Sequence, residues 1–154
     1  MHSYQITASA LVNAPAEQVY AILSDYRNGH PHILPKPYFL SLEVEQGGIG
    51  AGTVITFEMR VLGKTQASRA TITEPAPGRV LVETNAPSGI VTTFTVQPVE
   101  GGRHAQVTIT TDMTSRGGPL GLLERFFTRT LLRRIYVQEL ALLDVFARAR
   151  AGGI

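Results

Sequence analysis

The chain has 154 residues, 44% hydrophobic and 17% charged, a globular mix with enough apolar material for a sizeable core. It contains no cysteine, so disulfides, thiolate metal sites and a cysteine nucleophile are excluded. The net charge of +2 is uneven: residues 1–115 carry 7 Lys+Arg against 9 Asp+Glu, and residues 116–154 carry 7 Arg against 3 acids.

A basic C-terminal region can face nucleic acid or an anionic membrane, although a solvated helix face is the plainer reading. With no Trp in the chain, a stacking platform for nucleic acid is not expected. The first residues, "MHSYQITASALVNAPAEQ", lack a basic region followed by an apolar run, and no stretch of about 18 apolar residues occurs. The expectation is a single cytoplasmic domain over residues 1–154, with no transmembrane segment. The sequence leaves the oligomeric state open.

In chain order, "YQITASALV" (4–12) alternates and predicts a half-buried strand with Ile6, Ala8, Ala10 and Val12 on one face. A short helix is predicted over 15–24, opened by Pro15 and carrying Val19, Ile22 and Leu23 at helical spacing. Pro31, Pro35 and Pro37 forbid a long helix after it. Six strands follow, at 39–46, 53–61, 65–74, 79–85, 90–98 and 104–114, separated by glycine and proline clusters as in an antiparallel meander. From Pro119 the period changes. Leu120, Leu123, Phe127, Leu131, Ile135, Leu142, Val145 and Ala149 predict one amphipathic helix to about residue 150, with these residues facing the sheet. A seven-stranded sheet with one apolar face needs a cover, and only this helix is long enough.

The segment "ALVNAPAEQVYAILSDYRNGHPHILP", the "GGIGAGT" hairpin, "TITEPAPGRVLVET" and the long terminal helix resemble the START-like, or SRPBCC, superfamily. Within it, the likeness is to the polyketide cyclase/dehydrase and lipid-transport group. The resemblance spans essentially the whole chain. It implies an α+β helix-grip fold: a bent seven-stranded antiparallel sheet wrapped around a long C-terminal helix, with two short helical segments between strands one and two. Birch-pollen-type allergens and coenzyme-Q-binding proteins share that fold. The matching stretches are turns and packing positions, so they speak for fold more than for chemistry.

A cavity between sheet and helix is the expected site. Phe57, Met59, Phe94 and Phe127 are expected on its walls, beside Ile55, Val96, Val107 and Ile109. Arg134 and Gln138, which interrupt the helix stripe, are its expected polar anchors. His30, Leu34 and Tyr38 are placed at its mouth. His30 and His32 form an H-x-H pair, but no motif supplies a third ligand from Glu58, His104 or Asp112, so no metal is expected. No other cofactor is expected either. The glycine-rich "GGIGAG" joins two strands rather than opening a helix, which argues against phosphate binding. Ser24, Ser41, Ser68 and Ser88 lack a nucleophile-elbow context, and Asp25 or Glu58 would serve as a base only if buried. No catalytic set is complete. The leading expectation is a binding or transport protein for a small hydrophobic molecule such as a lipid, quinone or polyketide-like compound. The alternatives are a cyclase or dehydratase acting on an aromatic or polyketide substrate, and a protein-interaction module with a filled core.

Overall fold

The computed structural model describes residues 2–152. Strand β1 (His2–Val12) leads into helix α1 (Ala16–Ser24) and a 3-10 turn (His30–Ile33). Strands β2 (Phe39–Gln46), β3 (Val54–Val61), β4 (Lys64–Ala76), β5 (Val80–Ala86), β6 (Val91–Val99) and β7 (His104–Ser115) follow, and helix α2 (Gly118–Gly152) closes the chain. The strands form one antiparallel sheet in the order β1-β7-β6-β5-β4-β3-β2. This is the helix-grip arrangement, and the strand boundaries fall within about two residues of those the turn residues mark.

Alternation decides which side chains face α2. On β1, Ile6, Ala8 and Val12 are buried, while Gln5, Thr7 and Ser9 pair outside with Asp112, Thr110 and Thr108 of β7. The pairings Leu81↔Phe94 and Phe94↔Ile109 carry one inner face from β5 to β7. That register also turns Glu83 and Asn85 inward, in step with Leu81.

The buried face of α2 differs from the expected stripe. It runs through Ile135, Tyr136, Glu139, Leu140, Leu143 and Ala147, whereas Leu120, Leu123, Phe127, Leu142 and Val145 are exposed. At 3.6 residues per turn the expected stripe keeps one bearing along the 35-residue helix, but the buried face lies roughly a third of a turn round from it, and Ile135 is the residue the two share. The first turns of α2 are richest in leucine and phenylalanine, yet they are not where the helix enters the core.

The proline-rich segment is a structural hinge between α1 and β2. Asp25 Oδ1 accepts the N–H groups of Arg27 and Asn28 at 3.1 and 3.0 Å, starting the turn as an Asx motif. The β2–β3 glycine loop docks on this hinge. Tyr26 N–H donates to Gly48 O, and Gly50 N–H donates to Ser24 O. Gly48 and Gly50 hold φ of 143° and 65°, a backbone conformation open chiefly to glycine.

A cavity with one buried polar end

Between the sheet and α2 lies a cavity of about 410 Å³. A filled core, one arrangement left open by the sequence, is not what the chain forms. One end opens outward: Leu62 and Phe127 line it and are 87% and 58% exposed. The walls are apolar, with Phe39, Leu42, Ile55, Phe57, Met59 and Leu131 among them. The other end is polar and closed, since His30 and Glu139 line it at 2% and 3% exposure.

The polar end is assembled from residues far apart in the chain. The 3-10 turn supplies His30, whose ring stacks on Tyr26 at 4.5 Å between centroids and meets Phe94 edge-on at 5.4 Å. His30 Nδ1 lies 2.7 Å from Leu23 O. A carbonyl only accepts, so Nδ1 carries the hydrogen and Nε2 faces the cavity. Nε2 sits 3.7 Å from Glu83 Oε2 of β5 and 3.9 Å from Glu139 Oε1 of α2. Both separations exceed hydrogen-bond length, so the three groups converge on a shared space without closing it. Tyr26 donates its phenol hydrogen to Glu83 Oε2 at 2.7 Å. Nearby, Tyr136, Thr111 and Thr92 form a hydroxyl chain across α2, β7 and β6.

Burial sets the protonation of this group. Glu139 is pushed well above the usual carboxylate range, first by loss of water and then by the charge of Glu83. The neutral acid is therefore favoured there, an O–H donor aimed at the cavity end. Burial also raises the Tyr26 phenol, with Glu83 adding to the effect. Tyr136 is pushed up to about 12 by burial, against the opposing hydrogen bond from Thr111. Both tyrosines stay protonated near neutral pH. Asn85, also on the cavity wall, has a buried Oδ1 without a hydrogen-bond partner among the described residues.

Phe57, Met59, Phe94, Phe127 and Leu34 line the cavity. Val96, Val107 and Ile109 are buried core outside it. Arg134 and Gln138 are exposed and do not reach it, because the buried face of α2 passes one position on, through Glu139. His30 belongs at the closed end rather than the mouth, since the turn after Asp25 folds it inward. Tyr38 is half-buried against the core and does not line the cavity. His32 turns away from His30 and stacks on Phe146 of α2 at 4.6 Å. No group of three or more His, Asp or Glu suited to a metal occurs among the described residues.

A bent sheet gripping one helix around a cavity is the architecture of the START-like class of proteins. The family model described as polyketide cyclase/dehydrase and lipid transport matches residues 3–144, and the chain belongs to that family. It is similar to the solution structure of KanY, at 30% identity and a TM-score of 0.83 over 96% of this chain and 99% of that one. Its fold is also that of the ZhuI aromatase/cyclase from Streptomyces sp. R1128, at 21% identity and a TM-score of 0.74 over 99% and 100% of the two chains. The di-domain aromatase/cyclase StfQ of the steffimycin pathway matches at 18% identity and a TM-score of 0.74, over 97% of this chain and 52% of that one. No curated protein sequence matched the chain.

Proposed function

We propose that the cavity binds a small, mostly apolar ring-bearing molecule of polyketide-like character, with a hydroxyl or carbonyl group held at the closed end. The observation that carries this reading is the graded polarity of the cavity: apolar walls ending at His30, Glu83, Asn85 and Glu139. Its volume of about 410 Å³ falls in the range of small-molecule sites. The neutral Glu139 offers a donor to a ligand carbonyl, and Asn85 Oδ1 offers an acceptor to a ligand hydroxyl. The test is calorimetric titration with naphthalene and 1-naphthol. The wild type should prefer 1-naphthol, and Asn85→Ala should remove much of that preference. Equal affinity for the two compounds, or no binding of either, would overturn this reading.

The convergence of Glu83, His30 and Glu139 favours a second reading, acid–base elimination of water from a β-hydroxy ketone. His30 Nε2 takes the proton from the carbon beside the carbonyl, and Glu139 gives its proton to the departing hydroxyl, which leaves as water. The products are an enone and water, and the proton on His30 returns to Glu139 to restore the starting state. Enone absorbance formed by the wild type and lost in both His30→Ala and Glu139→Gln would favour an enzyme. Ligand binding without turnover would favour a carrier.

A further inference from the structure

The mouth of the cavity carries apolar side chains on two separate elements. Leu62, at the tip of the β3–β4 hairpin, is 87% exposed and holds a φ of 53°. A leucine there accepts both left-handed backbone and full contact with water, where glycine or asparagine would ordinarily stand. Across the opening, Leu123, Phe126 and Phe127 of α2 are 53%, 63% and 58% exposed. Leu62 and Phe127 line the same cavity, so the two apolar projections flank one entrance.

The helix that carries Leu123, Phe126 and Phe127 is rich in arginine. Residues 116–138 contain Arg116, Arg125, Arg129, Arg133 and Arg134 against one exposed acid, Glu124, which pairs with Arg116 at 3.2 Å. Among the described residues, Arg133 and Arg134 make no ion pair, and Lys64 adds a further cation at the mouth. Leu123, Phe127 and Arg134 share one side of α2 at spacings of four and seven. Arg134 thus lies about 10 Å along the helix from Phe127, at 1.5 Å per residue. Apolar side chains entering a lipid surface at the helix start would leave the arginines near headgroup depth.

We propose that this mouth docks on a bilayer surface bearing anionic lipids. Two copies of the chain meeting here would oppose one arginine-rich face to another, whereas an anionic surface complements it. The docking surface does not depend on what the cavity holds, but it would open the cavity directly onto a membrane.

Flotation with phosphatidylcholine vesicles, with and without about 30 mol % phosphatidylglycerol, tests the proposal at low ionic strength. The full chain should bind only the anionic vesicles and be released by added salt. Leu123→Ser/Phe126→Ser should weaken binding by about tenfold or more, through loss of buried apolar area. Arg133→Gln/Arg134→Gln should weaken it by about fivefold per arginine. Both pairs lie outside the cavity, so titration with 1-naphthol should be unchanged, which separates this surface from the cavity reading. Absence of binding to anionic vesicles, or binding unaffected by both variant pairs, would overturn the proposal. So would a dimer in sedimentation velocity that Leu123→Ser/Phe126→Ser dissolves, because the face would then belong to a second copy.

Discussion

Tyr26 donates its phenol hydrogen to Glu83 Oε2 across 2.7 Å, from a side chain with no exposure to solvent. The bond ties the segment after α1 to β5 and gives a largely buried carboxylate a fixed donor. Tyr26→Phe keeps the packing and removes only the hydroxyl. A hydrogen bond to a charged acceptor is worth about 1.5–3 kcal/mol, and urea denaturation of the variant at neutral pH should show a loss of that order. A loss below about 0.5 kcal/mol would mean that Glu83 has another donor of equal strength.

Glu139 gives stability a pH dependence of defined sign. Its folded-state pKa lies well above the ordinary 4.5. Between those two values the folded chain binds a proton that the unfolded chain has released. Stability therefore falls as pH rises through this window. His30, Glu83, Tyr26 and Tyr136 surround the group; burial raises it most, and the charge of Glu83 adds to that. Glu139→Gln keeps a neutral polar side chain at every pH. Its stability should be close to wild type near pH 5 and greater at pH 8, as read by urea midpoints across that range. A wild-type curve that rises between pH 5 and 8, with Glu139→Gln following it, would contradict this assignment.

The fold was legible because its signals are local. Glycine and proline mark the strand ends, and alternation on β1 names the buried face. The polar end was not legible, because its signals are local ones pointing the wrong way. On β5, Val80 and Val82 form the more apolar face, so Glu83 reads as outward; only the pairing of Leu81 with Phe94 reverses it. On α2, the densest leucines and phenylalanines lie in the first turns, which drew the expected stripe away from Tyr136 and Glu139. Phe57, Met59 and Phe94 could be placed because apolar residues alternating on central strands face inward whatever the cavity holds.

Gly29 fixes the approach of His30. A Cβ there would press on the Ile22 carbonyl, whose carbon lies 3.0 Å away and belongs to the backbone of α1. Neither side can yield without shifting the turn, in which His30 N–H donates to Asp25 O at 2.7 Å. Gly29→Ala should destabilise the fold by about 1–3 kcal/mol, the range for overpacking a filled site. It should also weaken the Nδ1–H bond from His30 to Leu23 O, seen as a shift of the His30 ring nitrogens in NMR spectra. A stable variant with unmoved imidazole signals would show that the turn has room to spare.

The neighbours Gln138 and Glu139 provide the sharpest contrast on α2, since one residue of rotation separates solvent from the cavity. Gln138 is exposed, whereas Glu139 is 3% exposed and lines the closed end. Gln138→Leu should therefore change the affinity for 1-naphthol by less than about twofold, as surface substitutions do. Glu139→Leu removes a neutral donor from the cavity end and replaces it with an apolar side chain one bond shorter. Binding of naphthalene should hold, while the preference for 1-naphthol should fall by about tenfold, the equivalent of one hydrogen bond. Stability should hold or rise, because a buried carboxyl without a close partner is replaced by an apolar group. Calorimetry on both variants reads affinity, and urea denaturation reads stability. If Gln138→Leu weakens 1-naphthol binding and Glu139→Leu does not, the ligand lies on the outer face of α2 and the cavity is not its site.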